Sequence, residues 1–95
     1  MKQRITGKDL ERLARRINAI KKRPQDALNG ATWNVGNHHI SVYPSVVCLH
    51  EIMCETGSVR DVLGTGYVKR RELYNRMRGY ILEMEKLPKE MFENI

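Results

Sequence analysis

Two runs of apolar residues at helical spacing, each closed by a proline, constrain this chain more than any other feature. Leu10, Leu13, Ala14, Ile17 and Ile20 recur at three- and four-residue steps until Pro24, and Leu73, Tyr74, Met77, Tyr80, Ile81 and Met84 do the same until Pro88. Proline has no amide to continue the helical ladder, so it bounds each run. The spacing predicts helices over about residues 7 to 22 and 69 to 86. Thr6 followed three residues later by Asp9 is a capping-box pattern that starts the first helix. Each helix has one apolar stripe, and each stripe needs a surface to cover it.

The segment between them has the composition of strands. Ala31-Thr32-Trp33-Asn34-Val35 and His38-His39-Ile40-Ser41-Val42-Tyr43 flank Gly36-Asn37, which reads as a hairpin with a type I′ or II′ turn. After Tyr43-Pro44-Ser45, residues 46 to 55 admit two readings. Val46 and Val47 favour a strand, whereas Ser45 would cap a short helix through Leu49, Ile52 and Met53. A third strand is expected, because an isolated hairpin is marginal and a wider sheet can carry the helices. Thr56 to Gly66 reads as a loop, with Val59, Val62 and Leu63 as core anchors. In a chain of 95 residues this makes one domain, residues 1–95. The expected fold is α+β, a helix, a three-stranded antiparallel sheet and a helix (αβββα).

Charge narrows the class of partner. Seventeen Lys and Arg against eleven Asp and Glu give +6, which favours polyanions where it is clustered. Lys8, Arg12, Arg15 and Arg16 fall opposite the apolar stripe of the first helix, and Lys21, Lys22 and Arg23 occupy its last turn, where cations complement the helix dipole. Lys69, Arg70 and Arg71 open the second helix directly after Gly64-Thr65-Gly66. Backbone amides, a helix start and three cations together suit the phosphates of a nucleic-acid backbone. Glu83, Glu85, Glu90 and Glu93 at the far end of that helix oppose its dipole and point away from any polyanion. Trp33 and Tyr43 on the sheet are either stacking platforms for bases or packing anchors.

Other chemistries find less in the sequence. Cys48, His50 and Cys54 would share one side of a continuous strand, with His38 or His39 as a fourth group, but no metal-ligand spacing is present. A Cys–His nucleophile lacks an orienting third group, and Gly64-Thr65-Gly66 lacks the spacing of a P-loop or dinucleotide fingerprint. No catalytic residue, metal or cofactor is expected, and the protein is read as a non-enzyme. No apolar stretch follows Met1-Lys2-Gln3-Arg4-Ile5, and no run reaches the roughly 18 apolar residues of a membrane span. A cytoplasmic protein with reduced thiols and no membrane partner is expected.

The order of elements, with Gly64, Gly66, Lys69 and Arg70, resembles the double-stranded RNA-binding domain, where a Gly-x-Gly turn leads into a helix whose lysines cross major-groove phosphates. Val68 stands where that family usually has serine. A second pattern covers most of the chain. Arg4-Ile5-Thr6-Gly7-Lys8, Leu10-Glu11, Ile17-Asn18, Asn34-Val35-Gly36-Asn37 with His39, and Lys69-Arg70 with Glu72-Leu73-Tyr74 are similar to small uncharacterised proteins of tailed phages. That likeness implies an accessory factor in the host cytoplasm, acting on a host nucleoprotein, a polymerase or a defence complex. Two functions compete. One is a non-catalytic binder of nucleic acid or a nucleoprotein through Lys8, Arg12, Arg15, Arg16, Lys69, Arg70 and Arg71. The other is an inhibitor of a host enzyme or defence complex, of the anti-CRISPR kind, that docks the same cations on an acidic nucleic-acid-binding site.

Overall fold

A computed structural model describes residues 4–87; Pro88, Glu90 and Glu93 lie outside the described residues. The order is helix α1 (Gly7–Ile20), strands β1 (Leu28–Asn29), β2 (Thr32–Trp33), β3 (His38–Tyr43), β4 (Val46–Ile52) and β5 (Val59–Asp61), then helix α2 (Arg70–Glu85). Strands β3, β4 and β5 form a three-stranded antiparallel sheet with β4 in the centre, and β1 and β2 form a separate small hairpin. The α+β architecture, with a helix on either side of the sheet in sequence, is the expected one.

The expected capping box starts α1. Asp9 donates its amide to Thr6 Oγ1 at 3.3 Å, and Thr6 donates its own to Asp9 Oδ2 at 2.9 Å. The bonds that the Thr6 amide and hydroxyl donate to Oδ2 hold the Asp9 carboxyl below its ordinary pKa. The helix stops at Ile20, before the proline, because Lys22 adopts a left-handed φ of 57°. Arg23 N–H then reaches Asn18 O at 2.7 Å and Lys22 N–H reaches Ala19 O at 3.3 Å, the paired closure of a Schellman motif. Lys21, expected among the cations of the last turn, folds inward instead and is 4% exposed.

Which strands form the sheet differs from expectation. Gly36-Asn37 is not a hairpin turn. Thr32-Trp33 pairs back on Leu28-Asn29 across Gly30, whose φ of 65° suits that tight turn. Gly36 and Asn37 instead extend the β3–β4 pairing, Gly36 N–H donating to Ile52 O at 2.8 Å and Ile52 N–H to Asn37 O at 2.9 Å. The main hairpin turns at Pro44-Ser45, and its register sets Ile40 against Leu49 and Val42 against Val47. That register brings β-branched and apolar residues together on one face, which the Gly36 turn would not do. Residues 46 to 55 are a strand only as far as Ile52. The expected loop after Thr56 contains β5, a strand too short and too charged to show as a pattern.

Both helices cover one face of the sheet. Leu10, Ala14 and Ile17 of α1 and Leu73, Met77, Ile81 and Met84 of α2 enclose Val47 and Leu49. Leu13, Ile20, Ile40, Val62 and Leu63 pack at the margin of this core, while Val59, an expected anchor, is exposed. Asn18 is buried beside the core and fixes β3: its Oδ1 accepts from His38 N–H at 2.7 Å and its Nδ2 donates to His38 O at 3.0 Å. A helix residue therefore satisfies the outer edge of the sheet.

Candidate nucleic-acid interface

On α1, Lys8, Arg12, Arg15 and Arg16 are all exposed, as their position opposite the stripe requires. They are not equivalent. Arg12 lies 3.5 Å from Asp9, and Arg16 is bonded to Glu85 of α2, so part of the row is neutralised by the protein's own carboxylates. Arg16 and Arg78 border a groove between the helices floored by Leu13 and Ile81. Among the described residues, no acidic side chain forms an ion pair with Lys8 or Arg15.

At the second cluster the glycine turn is built differently from expectation. The amides of Gly64 and Gly66 do not await an external anion. They donate to the two oxygens of Asp61 at 2.9 and 2.7 Å, so a carboxylate from β5 fills the concavity. The Asp61 pKa is lowered: burial opposes ionisation, and the amide bonds outweigh it. The glycine amides are therefore already satisfied within the chain, and only the neighbouring side-chain cations remain of the expected anion site. Lys69 is the N-cap of α2 in extended conformation and makes no side-chain cap. Lys69 and Arg70 are exposed and, among the described residues, form no ion pair; Arg71 is also exposed.

Val68 exchanges two backbone bonds with Val47, at 2.7 and 2.9 Å, which sets the start of α2 beside the Pro44-Ser45 turn. Asn18 sits on His38, and a cleft shared by Glu11, Ala14 and Arg15 with His39 and Ile40 follows it along β3. Helix α1 thus runs antiparallel to β3.

The sheet face away from the helices holds residues that charge alone does not reveal. Tyr43 and Tyr67 ring centroids are 6.2 Å apart, His50 is 5.8 Å from Tyr67 at 90°, and His39 is 6.2 Å from His50. Tyr43 thus joins an aromatic strip. Trp33 does not: its indole lies against Gly57, where an added Cβ would come within 2.8 Å of Nε1, and it anchors the 53–58 turn. His39 and His50 had a weak signal in the sequence, the alternation His39-x-Ser41-x-Tyr43 opposite Cys48-x-His50, and Tyr67 lay outside it.

Ser41 Oγ is 2.7 Å from His50 Nδ1, the nearest approach to a nucleophile and base. Among the described residues, no carboxylate is hydrogen-bonded to that imidazole to orient it. Cys48, His50 and Cys54 do not converge. Cys48 is buried and its thiol is pushed up to about 11 by burial and by Asp61. Cys54 lies beyond the end of β4, where hydrogen bonds from Ser58 and Thr56 bring it down to about 6. Among the described residues, no group of three or more His, Cys, Asp or Glu is arranged to hold a metal ion, and no helix is long and apolar enough to cross a membrane. On the helix side, Lys21 Nζ lies 3.2 Å from both His38 Nε2 and Tyr80 OH, while His38 Nδ1 faces Gly36 O at 2.9 Å. Burial and the Lys21 charge lower His38 to about 4. The neutral imidazole thus donates from Nδ1 and accepts from the ammonium at Nε2. No protein-family model, curated protein or solved structure matches the chain.

Proposed function

We propose that this domain is a non-catalytic nucleic-acid-binding protein that holds phosphates with Lys69 and Arg70, assisted by Lys8, Arg12 and Arg15. The observation that carries this reading is the exposure of Lys8, Arg15, Lys69 and Arg70, with no acidic side chain in ion-pair contact among the described residues. Cations on solvated helix ends that the core does not use and carboxylates do not neutralise supply the sequence-independent part of nucleic-acid affinity. Arg16 contributes least, because Glu85 already satisfies it.

The test uses the purified full chain with labelled RNA and DNA at physiological salt, with no other protein present. Binding that Lys69→Glu with Arg70→Glu abolishes is the expected result. Absence of affinity for either nucleic acid, with capture of an acidic protein instead, refutes the reading and leaves the inhibitor.

A further inference from the structure

The sheet face turned away from the helices carries a chemistry unlike the rest of the surface. Tyr43 is 71% exposed and Tyr67 is 45% exposed, and their rings stand side by side at 6.2 Å. Two adjacent exposed tyrosines add little to a core, and apolar surface displayed in this way marks a contact site. The strip is also held in place. Ser41 bonds His50 at 2.7 Å, and the His50 and Tyr67 rings form a T-shaped pair at 5.8 Å and 90°, so a hydrogen-bonded imidazole packs against the tyrosine ring. Tyr67 stands two residues before Lys69 and three before Arg70. Of the two acids nearby, Asp61 has its oxygens turned to the Gly64 and Gly66 amides, and Glu72 stands in the first turn of α2.

We propose that this face binds single-stranded nucleic acid, with bases stacked on Tyr43 and Tyr67 and the backbone drawn across Lys69 and Arg70. The inference rests on the nucleic-acid reading above and narrows it. Bases in a duplex are stacked on one another and offer no free face to a ring projecting from a sheet, whereas an unpaired strand splays its bases onto aromatic side chains. Tyrosine beside cation matches both parts of such a strand, base and phosphate. Ser41 and His50 are positioning residues that touch no ligand.

Fluorescence anisotropy with two probes tests it: a labelled oligouridine of about 20 nucleotides, longer than the site size of a single small domain, and an RNA duplex of the same length. The single strand should bind more tightly than the duplex. Tyr43→Ala with Tyr67→Ala should weaken single-strand binding about 10-fold or more without changing its salt dependence, because base–aromatic stacking is lost and no cation is removed. Tyr43→Phe with Tyr67→Phe should retain it, and Tyr43→Ala alone, at a solvent-exposed position, serves if the double variant unfolds. Equal affinity for the two probes, or wild-type single-strand affinity in the alanine variants, overturns the stacking face while the phosphate-binding reading stands. Failure of the wild-type protein to bind either probe or the corresponding DNA single strand and duplex removes both.

Discussion

Replacing Asn18 with alanine should be among the most damaging single changes in this domain, although the residue contributes no apolar surface. Its amide satisfies both the N–H and the C=O of His38, at 2.7 and 3.0 Å, at a position 1% exposed. Truncation strands one buried donor and one buried acceptor at the edge of β3. Each such group costs about 1–3 kcal/mol when left unpaired, so Asn18→Ala should lose roughly 2–6 kcal/mol. A domain of this size holds about 5–15 kcal/mol in all, and the loss corresponds to a fall in Tm of about 8–48 °C. Urea and thermal unfolding followed by circular dichroism measure it. Asn18→Leu separates the two causes, since it refills the volume without supplying the hydrogen bonds. It should be nearly as unstable as the alanine variant. A loss below about 0.5 kcal/mol in Asn18→Ala, or recovery in Asn18→Leu, would refute the assignment of Asn18 as the clamp on the sheet edge.

Core and titration predictions follow from the same geometry. Leu10→Ala and Met77→Ala, both at fully buried positions, should cost about 2–5 kcal/mol in urea unfolding, and Leu13→Ala less, because Leu13 only borders the core. His38 is held at about 4 in the folded protein against an ordinary 6.5, so below pH 6.5 the unfolded chain takes up a proton that the native one refuses. That contribution to stability is fully present above pH 6.5 and is lost as pH falls toward 4, measurable as a fall in Tm across that window. Lys21→Met should raise the His38 pKa in an NMR titration, because the adjacent ammonium is removed while burial remains. Cys54, lowered to about 6, should be alkylated by iodoacetamide at a rate that levels off above neutral pH. Cys48, buried and raised to about 11, should react only on unfolding, as peptide mapping of the modified protein would show.

Both helices were legible in the sequence because their apolar periods are long and their ends are marked, Thr6 and Asp9 at one start and Gly64 to Gly66 before the other. The α+β class followed from the β-branched stretch between them. Strand partners were less legible, since Asn29-Gly30, Gly36-Asn37 and Pro44-Ser45 all look like turns locally. Only the long-range match of Ile40 and Val42 with Leu49 and Val47 selects the last as the main hairpin turn. Lys21 illustrates a second limit. A lysine after a helix reads as solvated, and its burial depends on an acceptor nitrogen from His38 and a hydroxyl from Tyr80, 17 and 59 residues away. At the interface, the cations were evident from spacing alone. That Asp61 fills the Gly64–Gly66 concavity was not, because it requires β5, a three-residue strand.

The central claim, that Lys69 and Arg70 hold phosphates, is tested most directly by the salt dependence of nucleic-acid binding. Affinity of the wild-type chain for the oligouridine should fall linearly on a plot of log K against log salt, with a slope of about −0.7 for each phosphate neutralised on a single strand. Lys69→Ala with Arg70→Ala, which leaves the helix start uncharged at those two positions without reversing its field, should flatten that slope by about 1.4. Lys22→Ala, outside the proposed surface, should leave it unchanged. A slope that is the same in the wild type and the Lys69–Arg70 variant would contradict the account.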